Sequence, residues 1–379
     1  MKSYAFTGGR TPPESFPIEE LIVSSRKALK EKGKFLVNYP TQIDLHSDLK
    51  DVISLRFSRR EKITIPKENI LITVGSMEAI LLSMMLFTKP GDTIICEELT
   101  YMGTLKLFKK FGLNVHGIQL DKQTGMNINK LEDKLEELAK ENIKPKFIYT
   151  IPNYHNPTGS ILSEDKKRHM LEVSKKYDVL ILEDDCYVDV DLENVIYAPS
   201  LYSMDNSNQV IYISSFSKIL APGIRLGFLC APPKILNNII EIQKCTTIGA
   251  GAFASLIIAD YLKDNLDIHL KKHNKIIREK RDTVVNVLTK NFKDKDSVTW
   301  NTPRGGLFIW VKLPNNIRMN KLEQCCSDHN VAFNPGRDFH FKNQNINYLR
   351  LSYAHMIKDD IREGIDILSE CIKKACESN

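Results

Sequence analysis

Residues 68–233 alternate short β-rich runs with amphipathic helical segments, and this alternation constrains the fold more than any other feature of the sequence. The β-rich runs predict strands that begin near residues 69, 93, 115, 146, 179, 210 and 224. The periodic segments between and after them predict helices at residues 76–87, 101–111, 128–141, 163–177 and 234–245. Such alternation predicts an α/β fold with a mostly parallel, seven-stranded sheet and helices on both of its faces.

The two ends of the chain lack this alternation. Residues 1–40 are loop-like apart from one helix predicted at residues 18–30, and a long helical stretch covers residues 253–289. The remaining sequence predicts a small α+β unit with strands near residues 307–311 and 348–353 and helices at 320–330 and 358–376. We therefore predict an N-terminal arm and helix that form part of a small domain (1–40), a large domain (41–250) and the C-terminal part of the small domain (251–379).

The charge pattern and the apolar stretches argue against two classes of partner. The chain carries 53 basic and 47 acidic residues, a net charge of +6, and the two signs are interleaved along the sequence. A nucleic-acid-binding surface would collect its basic residues on one element, so we predict no nucleic-acid partner. The longest apolar stretch, residues 80–87, is much shorter than the ~20 residues that a membrane-spanning helix needs, so we predict no membrane association.

Eight cysteines are spread through the chain, and no two of them have the Cys-x-x-Cys spacing of a zinc or redox site. The first ten residues are polar and run into proline-rich sequence, which is unlike a secretory signal segment. We therefore predict a cytoplasmic protein with reduced, structural cysteines and without a metal site.

The residues around Lys218 give the strongest chemical signal in the sequence. Lys218 lies just beyond a predicted strand, Ser215 and Ser217 precede it, and Arg225 follows it by seven residues. Serine hydroxyls and a guanidinium can bind a phosphate dianion, while the lysine amine can form a Schiff base with a neighbouring aldehyde. The alternative is an ordinary loop that carries a solvent-exposed lysine.

Polar or anion-binding groups also follow other predicted strands. Gly75 and Ser76 lie where a strand gives way to a helix, a place where backbone N–H groups can bind an anion. Asn156 lies in a turn-rich loop, and Asp184 follows a buried strand, where a carboxylate needs a cationic partner such as a protonated pyridine nitrogen. Each motif alone could be a plain turn or a capping group. Because ligands bind outside the carboxyl ends of strands in such sheets, we predict that these groups share one site.

The order of these motifs resembles that of a known enzyme family. The sequence contains Gly-Ser-Met at 75–77, Thr-Tyr-Met-Gly-Thr at 100–104, Asn-Pro-Thr-Gly at 156–159, Asp-Asp-Cys-Tyr at 184–187, Ser-Phe-Ser-Lys at 215–218 and Arg-x-Gly at 225–227. This set resembles the class I/II aminotransferases of fold type I, and most of all their 2-aminoadipate and kynurenine aminotransferase branch. The resemblance covers nearly the whole chain. It implies pyridoxal 5'-phosphate (PLP) as cofactor and transfer of an amino group between an L-amino acid and a 2-oxo acid.

The resemblance also implies the roles of the catalytic residues. Lys218 would form the Schiff base with the cofactor and later move the proton between the substrate Cα and the cofactor carbon C4′. Asp184 would pair with the pyridinium nitrogen and keep it protonated. Asn156 and Tyr187 would hydrogen-bond the phenolic oxygen, and Tyr101 would stack on the ring.

The phosphate and substrate contacts follow from the same resemblance. The phosphate would be held by Gly75, Ser76, Met77 through its backbone, Ser215, Ser217 and Arg225. Arg350 would grip the substrate α-carboxylate as a bidentate fork, with Gly9 and Asn156 next to the substrate. Tyr39 would reach the phosphate of the partner subunit, which implies a homodimer with active sites at the interface.

Several positions depart from the family pattern, and Arg10 is the one with consequences for specificity. The family commonly has a leucine after the two glycines, and this leucine lines the pocket, whereas this chain has Arg10. A guanidinium there would favour a substrate with a second carboxylate, such as glutamate or 2-aminoadipate. The alternative is that Arg10 turns outward, to solvent or to a carboxylate of the partner subunit. Cys186 replaces a usual proline, and Met77 stands where glutamine is frequent.

Two other functions stay open on the sequence alone. Decarboxylation, β-elimination and oxidation use the same cofactor-binding motifs, so these motifs do not separate them from transamination. A ligand-sensing regulator is the alternative from another class, because the MocR regulators carry an aminotransferase-like half behind a DNA-binding winged helix. Only about 40 residues precede the predicted large domain, fewer than such a DNA-binding domain and its linker need. We therefore expect an enzyme.

Overall fold

The computed structural model of the protein describes residues 2–40, 43–121, 123–194, 198–292 and 298–376. The strands are β1 (Tyr4–Ala5), β2 (Ile70–Thr73), β3 (Thr93–Glu97), β4 (Asn114–Ile118), β5 (Leu120–Asp121), β6 (Gly125–Met126), β7 (Phe147–Thr150), β8 (Leu180–Asp184), β9 (Val210–Ser215), β10 (Gly227–Cys230), β11 (Thr299–Trp300), β12 (Phe308–Lys312), β13 (Val331–Ala332), β14 (Asn334–Pro335) and β15 (Tyr348–Ser352). The α-helices are α1 (Ile18–Lys32), α2 (Ser47–Glu61), α3 (Ser76–Phe87), α4 (Met102–Lys110), α5 (Ile128–Lys140), α6 (Glu164–Tyr177), α7 (Leu201–Met204), α8 (Pro233–Thr246), α9 (Ala252–Asn291), α10 (Met319–Asp328) and α11 (Lys358–Cys376).

A seven-stranded sheet forms the centre of the molecule, in the order β2-β10-β9-β8-β7-β3-β4. Its strands pair in parallel except β10, which is antiparallel to both β2 and β9. Every residue of β2, β3, β7, β9 and β10 is buried, because helices cover both faces of the sheet. The predicted α/β fold with a mostly parallel, seven-stranded sheet is therefore confirmed.

Helices α5 and α6 show how the local sequence produces the covering layer. In α5 the residues at positions 128, 131, 135 and 138 recur every three or four positions, and all of them are buried. Asn127 precedes this helix and accepts a hydrogen bond from the backbone N–H of Lys130 (3.0 Å). Ser163 accepts in the same way from Lys166 (3.4 Å), so Ser163 is the N-cap that the sequence predicts for α6.

A second, four-stranded antiparallel sheet lies in the C-terminal region, in the order β11-β12-β15-β14. Helix α11 packs against α9 and α10 beside it. The first strand of the chain joins this region, since Tyr4 of β1 pairs in parallel with Val331 of β13. The domain boundaries remain a prediction, and residue 41, where one of them falls, lies outside the described residues.

Helix α2 is the largest element that the sequence prediction did not include. Its buried positions are Leu49, Val52, Ile53, Arg56 and Phe57, which recur at helical spacing. One of these positions is an arginine, which breaks the apolar pattern. Arg56 is buried there because its guanidinium forms an ion pair with an equally buried aspartate.

The cysteines correct one prediction. The structure joins Cys325 of α10 to Cys371 of α11 in a disulfide, so the expectation of reduced cysteines is wrong for these two. Within the described ranges, Cys325, Cys371 and His329 form the one group of potential metal ligands, and the disulfide occupies both of its thiols. The cytoplasmic location remains a prediction. No helix in the described part of the chain has both the length and the apolar character needed to cross a membrane.

Candidate active site

A cavity of about 220 Å³ opens where the carboxyl ends of β8 and β9 meet the start of α3. Its lining residues are Ser76, Met77, Tyr101, Ile151, Asn156, Asp184, Cys186, Tyr187, Ser215, Ser217, Lys218, Pro222 and Arg225. Apart from Gly75 and Tyr39, every residue that we predicted to hold the cofactor is in this set. The sheet brings these residues together because parallel strands end at the same edge.

Lys218 enters the cavity from a short 3-10 turn that follows β9. Its Nζ donates a hydrogen bond to the carbonyl of Gly9 (3.0 Å) and lies 5.7 Å from the ring centroid of Tyr187. Burial lowers the pKa of Lys218, and the nearby guanidinium of Arg350 lowers it further. A lysine in these surroundings more readily presents the neutral amine that nucleophilic and basic chemistry requires.

Asp184 stands at the end of β8 with its two carboxylate oxygens in different situations. Oδ2 accepts a hydrogen bond from the hydroxyl of Tyr149 (2.6 Å). Oδ1 is buried and accepts no hydrogen bond from any described residue. Burial raises the pKa of Asp184, and the interactions with the thiol of Cys186 and the hydroxyl of Tyr149 oppose that rise. A buried oxygen without a donor fits a protonated ring nitrogen, because such a cation both donates to it and stabilises its charge.

An anion-binding pocket lies at the other end of the cavity. The hydroxyl of Ser215 donates to the hydroxyl of Ser217 (2.9 Å), and Arg225 donates through Nη2 to the carbonyl of Val74 (2.9 Å). Gly75 precedes α3 with a φ of 77°, and a Cβ there would lie 2.8 Å from Nη2 of Arg225. Only glycine therefore allows the guanidinium to approach the start of α3, where free N–H groups attract anions. Hydroxyls, a guanidinium and a helix start fit a phosphate.

Asn156 and Tyr187 complete the wall between the two ends of the cavity. Asn156 follows β7, and its Oδ1 accepts a hydrogen bond from Arg350 (2.8 Å). The ring of Tyr187 packs edge-on against Phe308 with 5.6 Å between ring centroids. Burial raises the pKa of Tyr187 well above its usual range, so its phenol stays protonated and can donate. Tyr101 stands immediately before α4, with its side chain on the same cavity.

Arg350 lies behind Asn156 and is fixed by several groups. It comes from β15, is 4% exposed, and donates through Nη2 to Oδ1 of Asn334 (2.9 Å) and to the carbonyl of Thr7. Its guanidinium carbon lies 4.0 Å from the ring centroid of Phe308. Burial lowers the pKa of Arg350 to about 10, so the group keeps its charge at neutral pH. Its Nε is buried and has no partner among the described residues.

The three remaining predicted residues lie at the edge of the site. Gly9 contacts Lys218 through its carbonyl, and a Cβ on Gly9 would lie 3.0 Å from the ring of Phe308. Arg10 is exposed in the single chain and does not line the cavity. Tyr39 is 62% exposed and also lies outside the lining.

Sequence reasoning missed some residues that support the site, above all Tyr149. In the sheet register Tyr149 stands opposite Leu182, so Asp184 is two residues further along on the same face of the neighbouring strand. A tyrosine inside a buried strand signals that its hydroxyl needs a partner. The identity of that partner becomes visible only with the register. Phe308 and Asn334 carry no such signal, because they reach Arg350 from other strands.

Comparison with known proteins agrees with this geometry. The family model for aminotransferase class I and II matches residues 14–368 of the chain. Aromatic-amino-acid aminotransferase 1 of Thermococcus litoralis is 32% identical over 371 residues, which are 98% of this chain and 88% of that protein. The 2-aminoadipate transaminase of Thermus thermophilus is 29% identical, over 97% of this chain and 90% of that protein. The crystal structure of Pyrococcus horikoshii kynurenine aminotransferase has a TM-score of 0.91 at 29% identity and covers 100% of this chain and 92% of its own.

These similarities extend over nearly the whole chain, and they confirm the predicted relation to aminotransferases, the fold type I architecture and the cofactor. The buried free oxygen of Asp184 and the pocket of hydroxyls beside Arg225 fit the ring nitrogen and the phosphate of that cofactor. The chain therefore belongs to the class I and II aminotransferase family, and it is a PLP-dependent aminotransferase.

Proposed function

We propose that this aminotransferase moves the amino group of an L-amino acid to a 2-oxo acid, with Lys218 as the cofactor-binding lysine. The observation that carries the proposal is that a lysine of lowered pKa and a carboxylate with a free buried oxygen line the same cavity as the anion-binding pocket. When bound, PLP supplies an electron sink for the bond that breaks at the substrate Cα. The protein residues must bind this group, orient the substrate and move the proton.

Asp184 would hold the ring nitrogen through Oδ1. Tyr149 already occupies Oδ2, which fixes the carboxylate and leaves a single oxygen directed at the cavity. A protonated nitrogen against this oxygen would lower the pKa of Asp184 again and thereby remove the cost of its burial. Asn156 and Tyr187 lie where they could hydrogen-bond the phenolic oxygen of the ring.

Lys218 would act as nucleophile and then as the proton carrier at the substrate Cα. The same side chain suits both roles, because burial favours its neutral amine. Its Nζ donates to the carbonyl of Gly9 and forms no ion pair with a carboxylate of the described residues. Ser215, Ser217 and Arg225 would hold the phosphate, so that the aldehyde end of the cofactor lies against Nζ.

Arg350 would bind the substrate α-carboxylate. Two aromatic rings and Asn334 hold its guanidinium in one orientation, which favours a bidentate fork over a mobile point charge. Because every amino acid and 2-oxo acid carries this carboxylate, Arg350 would serve both halves of the reaction. The side chain of the substrate would then lie towards Gly9 and Arg10.

We propose that the enzyme is a homodimer. Large apolar side chains are exposed on α1, α2, α9 and the segments beside them, which pack against one another. This apolar face comprises Ile18, Ile22, Val23, Leu29, Phe35, Val37, Ile43, Leu55, Ile248, Phe253 and Ile268. Val37 is 87% exposed and Ile268 is 72% exposed, and exposed apolar side chains on helices that pack together are typical of an interaction surface. Tyr39 lies on this face and could reach the site of a partner subunit.

The test of the reaction is a single-turnover experiment. Enzyme loaded with PLP is mixed with one amino acid at a time, and the visible absorption band of the cofactor is followed. We expect the band to decay while one equivalent of 2-oxo acid is released and the cofactor becomes pyridoxamine phosphate. Release of carbon dioxide, ammonia or hydrogen peroxide instead would assign a decarboxylase, a β-eliminating lyase or an oxidase. Binding without any decay, across the panel, would support the regulator.

The test of the lysine compares two buried lysines. Lys218→Ala should lose the visible band of the loaded enzyme and at least roughly 10²–10⁴-fold of its turnover, because the base is gone. Lys167→Ala is the matched control, since Lys167 is also buried and also donates to a backbone carbonyl (2.9 Å) but lies outside the cavity. A Lys218→Ala enzyme with the normal band and full turnover would contradict the assignment.

A further inference from the structure

Three consecutive backbone carbonyls, those of residues 218–220, each accept a hydrogen bond from a buried side chain. The carbonyl of residue 218 accepts from Nε2 of His273 (3.0 Å), and that of residue 219 accepts from Nε2 of His269 (2.6 Å). The carbonyl of residue 220 accepts from the hydroxyl of Thr11 (3.1 Å). The two histidines come from α9, and Thr11 comes from the N-terminal arm.

The sequence explains why side chains take this role. The backbone N–H that would serve the carbonyl of Lys218 in a continuing helix belongs to the residue four positions later, and that residue is Pro222, which has no N–H. A buried carbonyl without a donor is costly, so the donors must come from elsewhere in the fold. The backbone of Lys218 is therefore held by groups that are distant in sequence.

The hydrogen bonds of the two histidine rings fit a neutral ring with one defined tautomer. A carbonyl only accepts, so Nε2 of each ring carries the proton, and each Nδ1 lies next to a hydroxyl, Ser15 for His273 (2.9 Å) and Tyr261 for His269 (3.0 Å). The hydroxyl of Ser15 also lies 2.8 Å from the carbonyl of Pro12. That carbonyl accepts from the N–H of Ser15 as well (3.1 Å), so the single hydroxyl proton of Ser15 is shared between the carbonyl of Pro12 and Nδ1 of His273. The rings stack with 5.7 Å between centroids.

We propose that His269 and His273 are positioning residues for Lys218, and that with Thr11 they couple the N-terminal arm, residues 9–15, to the cofactor lysine. The arm contacts both ends of this residue. Gly9 accepts from Nζ at the tip of the side chain, while Ser15 orients the ring that holds the carbonyl of Lys218. A shift of the arm would therefore move the amine relative to the cofactor cavity. The inference rests on the proposed role of Lys218.

The first experiment compares two substitutions of His273. Glutamine can still donate to the carbonyl of Lys218 from a position near Nε2, whereas leucine has a similar volume and no donor. We expect His273→Leu to lower kcat by about 10- to 100-fold with KM changed less than about 3-fold, because misplacing the amine affects the proton-transfer step more than binding. His273→Gln should stay within about 3-fold of wild type on the same scale.

The second experiment measures how well the turn after β9 is protected from amide hydrogen exchange in the cofactor-free protein. Amide hydrogen exchange in peptides covering residues 215–222 should be at least about 3-fold faster in His273→Leu than in wild type, and unchanged in His273→Gln. Leu288→Ala is the control for general destabilisation, because Leu288 is fully buried in the same helix and far along it. If Leu288→Ala, at an equal loss of thermal midpoint, shows the same exchange or the same fall in kcat, the histidines are merely structural and the proposal is wrong.

Thr11 supplies a milder pair of variants should the histidine variants fail to fold. Thr11→Val is nearly isosteric and loses the donor, while Thr11→Ser keeps it. The valine variant should reproduce the faster exchange in residues 215–222, and the serine variant should not. Equal behaviour of the two would contradict the coupling. If Lys218→Ala keeps the visible band of the loaded enzyme, the proposed role of Lys218 fails, whereas the exchange experiment still decides whether the side chains hold the turn.

Discussion

At the scale of single residues, Asp184 combines burial with a carboxylate oxygen that no described residue satisfies. The carboxylate is buried, which disfavours its charged form, and the phenol of Tyr149 satisfies only one of its oxygens. The neighbouring Asp185 is buried too, but Asn153 and Tyr212 donate to its two oxygens. Of these two adjacent carboxylates, Asp184 is the one that retains an unused acceptor, and it faces the cavity.

Asp184→Asn should keep most of the cofactor but lower the single-turnover rate by roughly 10²–10³-fold, equivalent to about 3–4 kcal/mol. An amide cannot stabilise a protonated ring nitrogen as a carboxylate does, so the electron sink weakens. Asp185→Asn is the matched control and should alter stability more than rate, because its partners are protein side chains. Cofactor content and the decay of the visible band separate the two effects. A near-normal rate in Asp184→Asn would transfer the role to another group.

Arg10 is the residue on which substrate choice can be tested. In the single chain its guanidinium is exposed, so it is free to turn towards a substrate or towards a partner subunit. If it binds a second carboxylate of the substrate, Arg10→Leu should lower kcat/KM for glutamate and 2-aminoadipate by an amount equivalent to about 1.5–3 kcal/mol. The values for leucine and kynurenine should hold or rise. An equal change for all four substrates would contradict a role in specificity.

At the scale of elements, the ends of β3 and β7 are tied together by one buried carboxylate. Glu97 ends β3, and its Oε1 accepts from the hydroxyl of Thr150 (2.7 Å) and from the N–H of Ile151 (2.8 Å). Nε2 of His155 lies 3.9 Å away, but burial lowers the pKa of His155 to about 3, so this ring is neutral. Burial raises the pKa of Glu97 to about 7, and its hydrogen bonds oppose the rise. These two strands lead into the loops of Tyr101 and Asn156.

The raised pKa of Glu97 predicts a pH dependence of stability with a definite sign. Between the ordinary value of 4.5 and about 7, the folded protein holds a proton that the unfolded chain has lost, so stability falls as pH rises through this window. The loss attributable to this group is on the order of 3 kcal/mol. Glu97→Gln should lack this contribution in denaturation curves between pH 4.5 and 8. Thr150→Val removes a donor to the carboxylate and should extend the window to higher pH.

If Glu97→Gln kept the pH dependence of the wild type, the carboxylate would not be the group that titrates. The comparison has to be made on the difference between the two unfolding free energies, because other carboxyl groups contribute equally to both proteins.

The elements differ in how far the sequence could predict them. The central strands and helices follow from local periodicity, and the N-cap Ser163 follows from side-chain chemistry. Helix α2 was missed because Arg56 occupies one of its buried positions, and its ion-pair partner is more than a hundred residues away. The hydrogen bond from Tyr149 to Asp184 depends on strand register, and the disulfide depends on the packing of α10 against α11. Contacts of this kind are not encoded in any local pattern.

At the scale of the whole molecule, the N-terminal arm connects the active site to α1 along the chain. Residues 9–15 contact Lys218 and its turn, and α1 begins only a few positions later, with Ile18 and Ile22 exposed on the apolar face. Helix α1 packs along α9, the helix that also carries His269 and His273. A partner subunit on this face would therefore contact α1 and α9, next to the residues that hold the lysine. Dimerisation and catalysis are expected to be linked.

Mixing two impaired variants can test whether Tyr39 acts across that interface. A heterodimer of Tyr39→Phe and Lys218→Ala subunits would have one doubly altered site, and one site with Lys218 of the first subunit and Tyr39 of the second, both intact. Random pairing should then restore about a quarter of wild-type activity, since half of the dimers are mixed and each has one intact site. The mixture must be unfolded and refolded together, with each parent refolded alone as control and the dimer verified by sedimentation. If Tyr39 acted within its own subunit, both sites of every mixed dimer would be damaged. A mixture no more active than its parents would therefore exclude the role across the interface.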